Sequence, residues 1–325
     1  MTDSGFFCPR THEPLRLQDD DSSLVSPSGD CYLIVDGIPE LLLNGGHQKN
    51  TSRGQEYYRA KAAEYDRGME VMFRMLLSEE KTMRDEIIGM LEIAPGARVL
   101  EIGCGTCRDT IHLLNHGAFV YASDLSREMI SIGRDRLKGA GADFSRLRLF
   151  LADAMRVPFP DNFFDAAFHF GGLNLFPDAA VALTEMARVV KPGGKVVAGD
   201  EGIGPWLSNT KFAKILENSN PLFRHRAPLE KVPVNAREVM CRWVLNGSFY
   251  VIAFRVAKNE PPLDLDIQFP GWRGGSHRTR FFGKLEGVSP ELRDMVIKAA
   301  ADEGVPIVNW LEDRLRQALG VKTTN

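Results

Sequence analysis

The residues of this 325-residue chain whose types and spacing most clearly indicate a binding site are two glycines and two acids between positions 101 and 124. A β-branched and apolar run, 98–102, contains Glu101 and stops at Gly103 and Gly105, and a helical segment follows. Glycines let a ligand approach the main chain because they have no Cβ, and the first turn of a helix has free N–H groups. A second apolar run ends nineteen residues after Gly105 at Asp124. An acid at this spacing typically accepts hydrogen bonds from ribose hydroxyls, so the order predicts a site for a nucleoside-containing cofactor.

Strand and helix patterns alternate through 55–258 and must position these residues. Strand patterns cover 98–103, 119–124, 147–152, 164–170 and 195–199, and helical patterns cover 56–66, 80–92, 108–115, 127–138 and 178–190. The alternation predicts right-handed crossovers and a parallel sheet covered on both faces. Asn246 and Gly247 separate two further apolar runs, which is a strong hairpin signal. We therefore predict an α/β sheet that ends in an antiparallel hairpin.

Four motifs in 55–258 resemble those of the class I S-adenosylmethionine-dependent methyltransferases. EIGCGT is similar to their first motif and SDLSREMI to the end of their second strand, while FLADAMRVPFPDNFFDAAFHF and ARVVKPGGKVVAGDE are similar to the segments around their fourth and fifth strands. Tyr65-Asp66 resembles the cofactor-capping Tyr-Asp pair of the ubiquinone-methyltransferase-like branch. The resemblance implies a Rossmann-like, mostly parallel seven-stranded sheet, S-adenosylmethionine as cofactor, and methyl transfer as the reaction.

Transferred residue by residue, the resemblance implies a glycine loop on the methionine part of the cofactor, an acid on the ribose, and later residues on the adenine. The cofactor-binding residues would be Tyr65, Glu101, Gly103, Gly105, Asp124, Leu125, Asp153 and Ala154. Cys107 stands where the family has its third glycine. The G-x-G-x-x-G fingerprint of nicotinamide enzymes would instead place Arg108 at the third glycine, where a side chain crowds helix–strand packing. A nicotinamide or other nucleotide enzyme and a cofactor-binding protein without catalysis remain the alternatives.

Methyl transfer asks the protein mainly to align the acceptor and exclude water, because the sulfonium already activates the methyl group. An oxygen or carbon acceptor also needs a base. His169 at the end of the fourth strand is the candidate by analogy, unless it is a packed histidine without chemistry. The predicted substrate-binding residues are Tyr57, Asn174 and Trp206. Asn174 could equally cap the next helix, and the aromatic insertion 202–236 favours an apolar or aromatic small molecule.

Cysteine usage has two consequences. Five cysteines are an odd number and too few for a secreted disulfide framework, which favours a reducing compartment. Cys104 and Cys107 form a C-x-x-C pair inside the glycine loop. We interpret them as small buried residues that replace glycines, with redox or arsenic chemistry as the alternative.

The N-terminal segment 1–43 resembles the small zinc-ribbon family linked to activation of tRNA methyltransferases. Cys8-Pro9-Arg10-Thr11 and the apolar run 32–42 carry this resemblance. Tetrahedral zinc needs four ligands, but only Cys8, His12 and Cys31 are available, at irregular spacing. We predict a degenerate ribbon without metal, whose apolar strands pack on the catalytic domain or on a partner. The ribbon also raises an RNA methyltransferase as an alternative function.

The catalytic domain is predicted over 44–258 and begins with a polar, glycine-rich linker, 44–54. After a second linker at 259–276, residues 277–325 resemble the ribbon-helix-helix module. Arg278, Arg280 and Lys284 share one face of an alternating segment, and two helical segments with apolar stripes follow. A unit of this size cannot bury its own apolar faces, so we predict a homodimer through this module. A DNA-binding, cofactor-sensing regulator is the alternative that the basic segment raises.

Composition limits the function classes further. Hydrophobic residues make up 44% and charged residues 26% of the chain, a normal globular mix. The net charge of -3 and the pI near 6.2 argue against RNA as a substrate. We expect neither a signal peptide nor a membrane span, because the N-terminus lacks basic and apolar regions and no apolar run reaches 18 residues. The leading interpretation is a cytoplasmic methyltransferase of a small molecule, without a metal.

Overall fold

The computed structural model describes residues 3–43, 64–270, 275–278 and 288–321. The chain divides into two compact units, Met1–Pro261 and Pro262–Asn325. Tyr57, the 44–54 linker and most of the predicted basic strand, including Arg280 and Lys284, lie outside the described residues.

The first unit is built on one continuous mixed sheet. Its N-terminal ribbon consists of β1 (Asp3–Phe7), β2 (Pro14–Leu17), β3 (Ser23–Val25), β4 (Cys31–Val35) and β5 (Ile38–Leu41). The following strands are β6 (Arg98–Ile102), β7 (Phe119–Asp124), β8 (Leu147–Ala152), β9 (Phe164–Phe170), β10 (Val190–Glu201), β11 (Ala236–Val244) and β12 (Phe249–Val256). The spatial order of the described strands is β1-β2-β3-β4-β5-β8-β7-β6-β9-β10-β12-β11.

Strands β5 to β10 run parallel to one another in this sheet, whereas β5 is antiparallel to β4, and β12 is antiparallel to both β10 and β11. The prediction of an α/β fold with a mostly parallel central sheet is confirmed. The hairpin at the edge is also present, and its connection contains Asn246 with φ 55° and Gly247 with φ 85°. Positive φ at both residues is the conformation that favours Asn-Gly in tight connections.

Helices cover the sheet on both faces. They are α1 over residues 64–75, α2 (Glu80–Gly89), α3 (Thr110–Asn115), α4 (Arg127–Gly139), α5 (Ala179–Val189) and α6 (Lys211–Ser219). Short 3₁₀ helices occupy Phe144–Arg146, Leu173–Leu175, Pro205–Leu207, Pro221–Arg224, Leu229–Lys231 and Leu245–Gly247. Ser126 and Asp178 cap α4 and α5 with their side-chain oxygens, as expected for these residue types.

Neighbouring strand residues point to opposite faces and fall into two hydrophobic cores. Val99 and Ala166 belong to one core together with residues of α2, α3 and α4. Leu100 and Ala167 belong to the other core, which is formed with α5 and with the N-terminal ribbon. Residues 3–41 thus form part of the hydrophobic layer that covers one face of the sheet.

The ribbon packs on the central sheet, one of the two possibilities that the sequence left open. Parallel pairing joins β5 to β8 through Glu40↔Leu151 and Leu41↔Ala152. The Phe6 ring meets the Phe150 ring edge-on at 5.4 Å between centroids, and Phe6 is buried. Burial of apolar area of this kind is the main stabilising term of a fold, about 25 cal/mol per Å².

The side chains around Cys8, where the sequence predicts a degenerate zinc ribbon, are joined by hydrogen bonds. The Cys8 Sγ atom lies 3.2 Å from the Tyr32 hydroxyl, accepts from the Thr11 N–H at 3.4 Å and lies 3.5 Å from Asp30 Oδ2. Asp30 in turn pairs with Arg10 at 2.6 Å. Within the described residues, no three His, Cys, Asp or Glu side chains are grouped to hold a metal ion.

The second unit contains α7 (Pro290–Asp302) and α8 (Ile307–Leu319). Ser289 caps α7 by accepting from the Leu292 N–H, and Gly320 with φ 65° ends α8, in line with the predicted helix signals. The predicted strand, the alternating segment 276–285, lies outside the described residues except for 276–278, of which 277 and 278 are helical. None of the helices in the described parts of the chain has the length and hydrophobicity needed to cross a membrane.

Candidate functional site

The glycine loop between β6 and α3 takes a conformation that its glycines require. Gly103 has φ 65° and Gly105 has φ 51°, a region that residues with a Cβ avoid. A Cβ on Gly103 would lie 3.1 Å from His169 Cε1, and one on Gly105 would lie 3.3 Å from the Met129 methyl carbon. The loop can therefore present its main chain at the end of the sheet only with glycine at these two positions.

Cys107, at the place of the family's third glycine, is fully buried and has φ 59°. Its side chain is accommodated by Gly133 of α4, where a Cβ would lie 2.5 Å from Cys107 Sγ and 2.9 Å from the Thr106 carbonyl carbon. The glycine that the loop lacks is thus compensated by a glycine on the helix that packs against it. This arrangement fits the interpretation of Cys107 as a small buried residue.

Asp124 at the end of β7 holds the glycine loop. Its Oδ2 accepts the Gly105 N–H at 2.9 Å, and its Oδ1 accepts the Ser126 N–H at 2.8 Å. Burial raises the pKa of Asp124, although these main-chain hydrogen bonds act in the opposite direction. The Leu125 N–H also acts on this carboxylate. Since a carboxylate can accept about four hydrogen bonds, the group as a whole retains acceptor capacity toward a ligand hydroxyl.

Glu101 lies beneath the loop rather than at its surface. Only 2% of the residue is exposed, and its Oε2 accepts the Thr110 hydroxyl at 2.6 Å. Burial, together with the nearby Asp109 and Cys107, raises its pKa well above the usual range. The geometry therefore gives Glu101 a role in joining β6 to α3.

Asp66 of α1 ties the N-terminal helix to the glycine loop. Its carboxylate accepts from the Thr106 hydroxyl at 2.8 Å and from Arg108 Nη1 at 2.9 Å, and it also pairs with Arg136 of α4. Burial acts to raise the pKa of Asp66, but the hydrogen bonds from Thr106 and Arg108 outweigh it and lower the pKa. The adjacent Tyr65 is thereby held against the loop.

Two arginines extend this network to α2. Glu80 accepts from Arg84 Nε at 2.7 Å and from Arg108 Nε at 2.6 Å, and Arg84 Nη1 donates to Asp109 at 2.5 Å. Burial opposes ionisation of Glu80, but Arg108 and Arg84 hold its pKa at about 2. Every charge of this network has an opposite partner, which is the condition for charges to be tolerated away from water.

His169 at the end of β9 is 1% exposed, and its hydrogen bond to the main chain determines which ring nitrogen carries the hydrogen. Its Nδ1 lies 2.7 Å from the Ile102 carbonyl oxygen and must donate to it, since a carbonyl only accepts. Its Nε2 has no hydrogen-bond partner among the described residues. Burial lowers the pKa of His169, so the ring is neutral and Nε2 carries a free lone pair.

Two adjoining cavities open at this end of the sheet. The Asp124 cavity has a volume of about 920 Å³ and is lined by Tyr65, Ile102, Gly103, Gly105, Asp124, Leu125, Ser126, Met129, Ala152, Asp153, Ala154, Met155, His169, Gly171, Gly172, Leu175, Phe176 and Pro177. The Glu201 cavity has a volume of about 610 Å³ and is lined by Tyr65, Met69, Arg84, Gly103, Cys104, Gly105, Thr106, Arg108, Asp109, Phe170, Gly171, Gly172, Leu175, Glu201, Leu222 and Phe249. Because the two cavities share Tyr65 and the glycine loop, a ligand in one reaches the edge of the other.

The predicted cofactor residues come together around the Asp124 cavity, except that Glu101 is buried behind it. Two predicted substrate-binding residues do not line either cavity. The Asn174 amide donates to the Glu201 carbonyl oxygen at 2.7 Å and accepts from the Tyr250 hydroxyl at 2.9 Å, while Asp178 caps α5. Trp206 is 64% exposed and its ring packs edge-on against Trp243 at 5.3 Å.

Sequence reasoning missed Glu201, Arg84 and Phe249 as cavity residues. Glu201 stands two residues after the end of the fifth predicted strand, near the edge at which parallel sheets commonly present ligand-binding side chains. That position was the available signal for Glu201. Arg84 and Phe249 reach the cavity through long-range packing, and their local sequence patterns indicate only a helix and a strand.

The cavity walls fit a nucleoside-containing sulfonium cofactor. The loop lacks Cβ atoms at Gly103 and Gly105, where both cavities meet. Asp124 has free acceptor capacity for ribose hydroxyls, and Leu125 with Ala154 supplies an apolar wall for a purine ring. The buried and unpartnered Nε2 of His169 lines the same cavity and is a polar atom for which a ligand would supply the partner.

Comparison with known proteins identifies this part of the chain. Residues 100–198 match the protein family described as a methyltransferase domain. This match confirms the predicted methyltransferase domain and, for that domain, S-adenosylmethionine as the cofactor.

Among curated proteins, the chain is 36% identical over 122 residues to demethylmenaquinone methyltransferase from Corynebacterium glutamicum (strain R), covering 38% of this chain and 49% of that protein. It is 37% identical over 122 residues to demethylmenaquinone methyltransferase from Bacillus subtilis (strain 168), covering 37% of this chain and 52% of that protein. The chain thus spans about half the length of the curated relatives that it matches. A solved phosphoethanolamine N-methyltransferase 2 from Haemonchus contortus, in complex with S-adenosyl-L-methionine, superposes with a TM-score of 0.46 at 14% identity, covering 58% of this chain and 56% of that chain.

Proposed function

We propose that the protein is an S-adenosylmethionine-dependent methyltransferase that acts on a small apolar or aromatic acceptor. The observation that carries this proposal is the hydrogen bond from the Gly105 N–H to Asp124, which fixes a glycine loop and an acid at the junction of two cavities. The relatives named demethylmenaquinone methyltransferase support an apolar acceptor.

The Asp124 cavity would hold the cofactor. Asp124 would accept the ribose hydroxyls, Leu125 and Ala154 would pack on the adenine, and Asp153 would contact its edge. The main chain of the glycine loop would lie along the methionine part, with Tyr65 over it. The cofactor supplies a methyl group on a positively charged sulfur.

The Glu201 cavity would hold the acceptor. Its apolar wall includes Phe170, Leu222 and Phe249, and the rings of Phe170 and Phe249 stack at 5.7 Å. Mostly apolar walls with a few polar groups are typical of sites for small molecules. Leu222 belongs to the insertion after β10, which therefore contributes to the acceptor side even though Trp206 of the same insertion lies away from it.

His169 is the proposed base for an acceptor that loses a proton. Its neutral ring is oriented by the Nδ1 hydrogen bond to Ile102, which leaves Nε2 able to accept a proton inside the site. The role of the remaining residues is to align the acceptor and exclude water, the main demands of a displacement at an activated methyl group.

A methyl-transfer assay tests the proposed function. Purified protein is incubated with S-adenosylmethionine labelled in the methyl group, together with either a lipid-soluble small-molecule extract or total RNA. We expect label in the small-molecule fraction that is lost with Asp124→Ala. Label in RNA alone would overturn the proposed substrate class, and label in neither fraction would count against catalysis.

We also propose that the second unit mediates a homodimer in the cytoplasm. Within this unit, α7 and α8 expose apolar side chains, among them Leu292 at 47%, Met295 at 66% and Leu319 at 75%. Analytical ultracentrifugation of the full chain should give a dimer, and Met295→Lys should shift it toward monomer. A monomeric wild-type protein at micromolar concentration would overturn this proposal.

A further inference from the structure

The chain exposes an apolar side chain directly after α1, in an unusual backbone conformation. Leu77 has φ 49°, in the left-handed region that residues other than Gly, Asn and Asp rarely adopt. The residue is 91% exposed, whereas the preceding Leu76 is buried. Leucine at this position therefore contributes nothing to the hydrophobic cores of the first unit.

Trp206 of the insertion lies beside the same part of the surface. The Asn246 amide donates to the Leu76 carbonyl oxygen at 2.7 Å, and a Cβ on the adjacent Gly247 would lie 3.4 Å from the Trp206 ring. Trp206 is 64% exposed. The two exposed apolar side chains thus flank one turn, whereas exposed apolar residues that are scattered singly need no explanation.

Helix α6, which begins five residues after Trp206, adds basic side chains and a third apolar one. Lys211, Lys214 and Ile215 share one side of this helix and are exposed. Ala213 and Leu216 on the other side are buried. The exposed side chains of this region, called the rim patch below, are Leu77, Trp206, Lys211, Lys214 and Ile215.

The elements that carry the rim patch also enclose the Glu201 cavity. Met69 of α1 and Leu222, which follows α6, both line that cavity. Phe249 lines it too, stands two residues after Gly247 and meets the Phe223 ring edge-on at 5.6 Å. Helix α1, the turn before β12 and the insertion therefore form the cavity wall with their inner residues and the rim patch with their outer ones.

The charge of the insertion indicates the kind of surface that the rim patch fits. Residues 202–236 contain five Lys or Arg and two Asp or Glu, in a chain whose net charge is -3. Arg224 pairs with Glu217 at 3.9 Å, whereas Lys211 and Lys214 form no ion pair with any residue that the structure describes. Exposed lysines beside exposed apolar side chains complement an anionic lipid surface, and tryptophan is typical of the headgroup level.

We propose, on the premise of the apolar acceptor suggested above, that the rim patch docks the protein on an anionic lipid surface from which the acceptor enters the Glu201 cavity. Leu77, Trp206 and Ile215 lie among the lipid headgroups in this arrangement, and the two lysines face the phosphates. An acceptor that dissolves poorly in water then reaches the cavity without crossing bulk solvent. Docking of this kind needs no helix that spans the membrane.

Flotation of the full-length protein with lipid vesicles tests the docking. One set of vesicles contains phosphatidylcholine alone, and the other also contains phosphatidylglycerol, which is anionic. We expect wild type to float with the anionic vesicles more strongly than with phosphatidylcholine alone. The difference should shrink as the salt concentration rises, because salt screens the attraction between the lysines and the phosphates.

Substitutions in the rim patch separate its apolar and its charged contribution. Leu77→Asn removes the apolar side chain but introduces a residue type that tolerates positive φ, so the fold should be preserved. Its partition coefficient onto anionic vesicles should fall about tenfold. Lys211→Gln together with Lys214→Gln should lower it about thirtyfold. Leu33→Thr, at a 57% exposed leucine on β4 of the ribbon, is the matched control and should float like wild type.

Calorimetry with S-adenosylhomocysteine distinguishes failure of the docking from failure of the function. If wild type binds this ligand but does not float with anionic vesicles, the docking proposal is overturned and the methyltransferase function stands. If wild type floats as expected but does not bind the ligand, the methyltransferase function is wrong.

The remaining outcomes concern other occupants of the rim patch. Equal flotation of wild type and Leu77→Asn, or a loss confined to Met295→Lys of the second unit, would place the lipid contact elsewhere and overturn the proposal. Salt-dependent binding to RNA or DNA without flotation would make the lysines a nucleic-acid contact and also overturn it. A dimer that is lost in Leu77→Asn, again without flotation, would show that a second copy of the chain covers the patch.

Discussion

The packing of Cys107 against Gly133 can be tested by adding one methyl group. Gly133→Ala would place a Cβ 2.5 Å from Cys107 Sγ and 2.9 Å from the Thr106 carbonyl carbon. Overpacking of this kind costs about 1–3 kcal/mol, whereas alanine in place of glycine inside a helix contributes about 1 kcal/mol of stability. The expected net loss is therefore about 0–2 kcal/mol in the free energy of unfolding, measured by urea denaturation.

The same helix offers a matched control. Gly139, the last residue of α4, has open space around a hypothetical Cβ, so Gly139→Ala should be neutral or stabilising by up to about 1 kcal/mol. Adding Cys107→Gly to Gly133→Ala should recover part of the lost stability, because the Sγ contact disappears while the Thr106 contact remains. Because Thr106 and Cys107 belong to the glycine loop, Gly133→Ala should also weaken S-adenosylhomocysteine binding several-fold. If Gly133→Ala matches Gly139→Ala in both stability and binding, the compensation argument is wrong.

Three further predictions concern Glu201, His169 and the ribbon. In the folded protein the pKa of Glu201 is raised to about 9, whereas an ordinary glutamate ionises near 4.5. The free energy of unfolding of wild type should therefore fall as pH rises between these values, and Glu201→Gln should flatten that fall in urea denaturation. An equal dependence of stability on pH in the two proteins would contradict the prediction. His169→Asn retains a donor for the Ile102 carbonyl but removes Nε2. The rate of methyl transfer in single-turnover assays should therefore drop about a hundredfold or more, at unchanged cofactor affinity. An unchanged rate would show that His169 has only a packing role. The N-terminal ribbon should hold no zinc, so elemental analysis should find less than one zinc per chain, and a chelator should leave the unfolding midpoint unchanged; stoichiometric zinc would refute the metal-free ribbon.

The central strands could be predicted from sequence because short apolar runs bounded by polar residues and glycines define them locally. The observed β7, β8 and β9 have the predicted bounds. Asp124 could also be placed, since strand end, spacing and residue type agree.

Contacts between residues distant in the chain could not be predicted in the same way. The parallel pairing of β5 with β8 joins residues more than a hundred positions apart, and a short apolar strand does not specify its neighbour. The ion pairs among Glu80, Arg84 and Arg108 depend on how α2 packs on the loop. Asn174 is of a residue type that commonly binds ligands or caps helices. In the fold, however, its side chain accepts a hydrogen bond from the Tyr250 hydroxyl, a residue 76 positions away in the chain.

The central claim is that the Asp124 cavity binds the methyl donor, and calorimetry with S-adenosylhomocysteine tests it most directly. We expect one molecule bound per chain by wild type, and affinity reduced at least about tenfold in Asp124→Ala, because that variant loses both the ribose acceptor and the hydrogen bond that fixes Gly105. Arg146→Ala is the control, because Arg146 lies on the 3₁₀ helix before β8 and does not line the Asp124 cavity. This variant should bind like wild type. No binding by wild type, or equal binding by Asp124→Ala, would contradict the account.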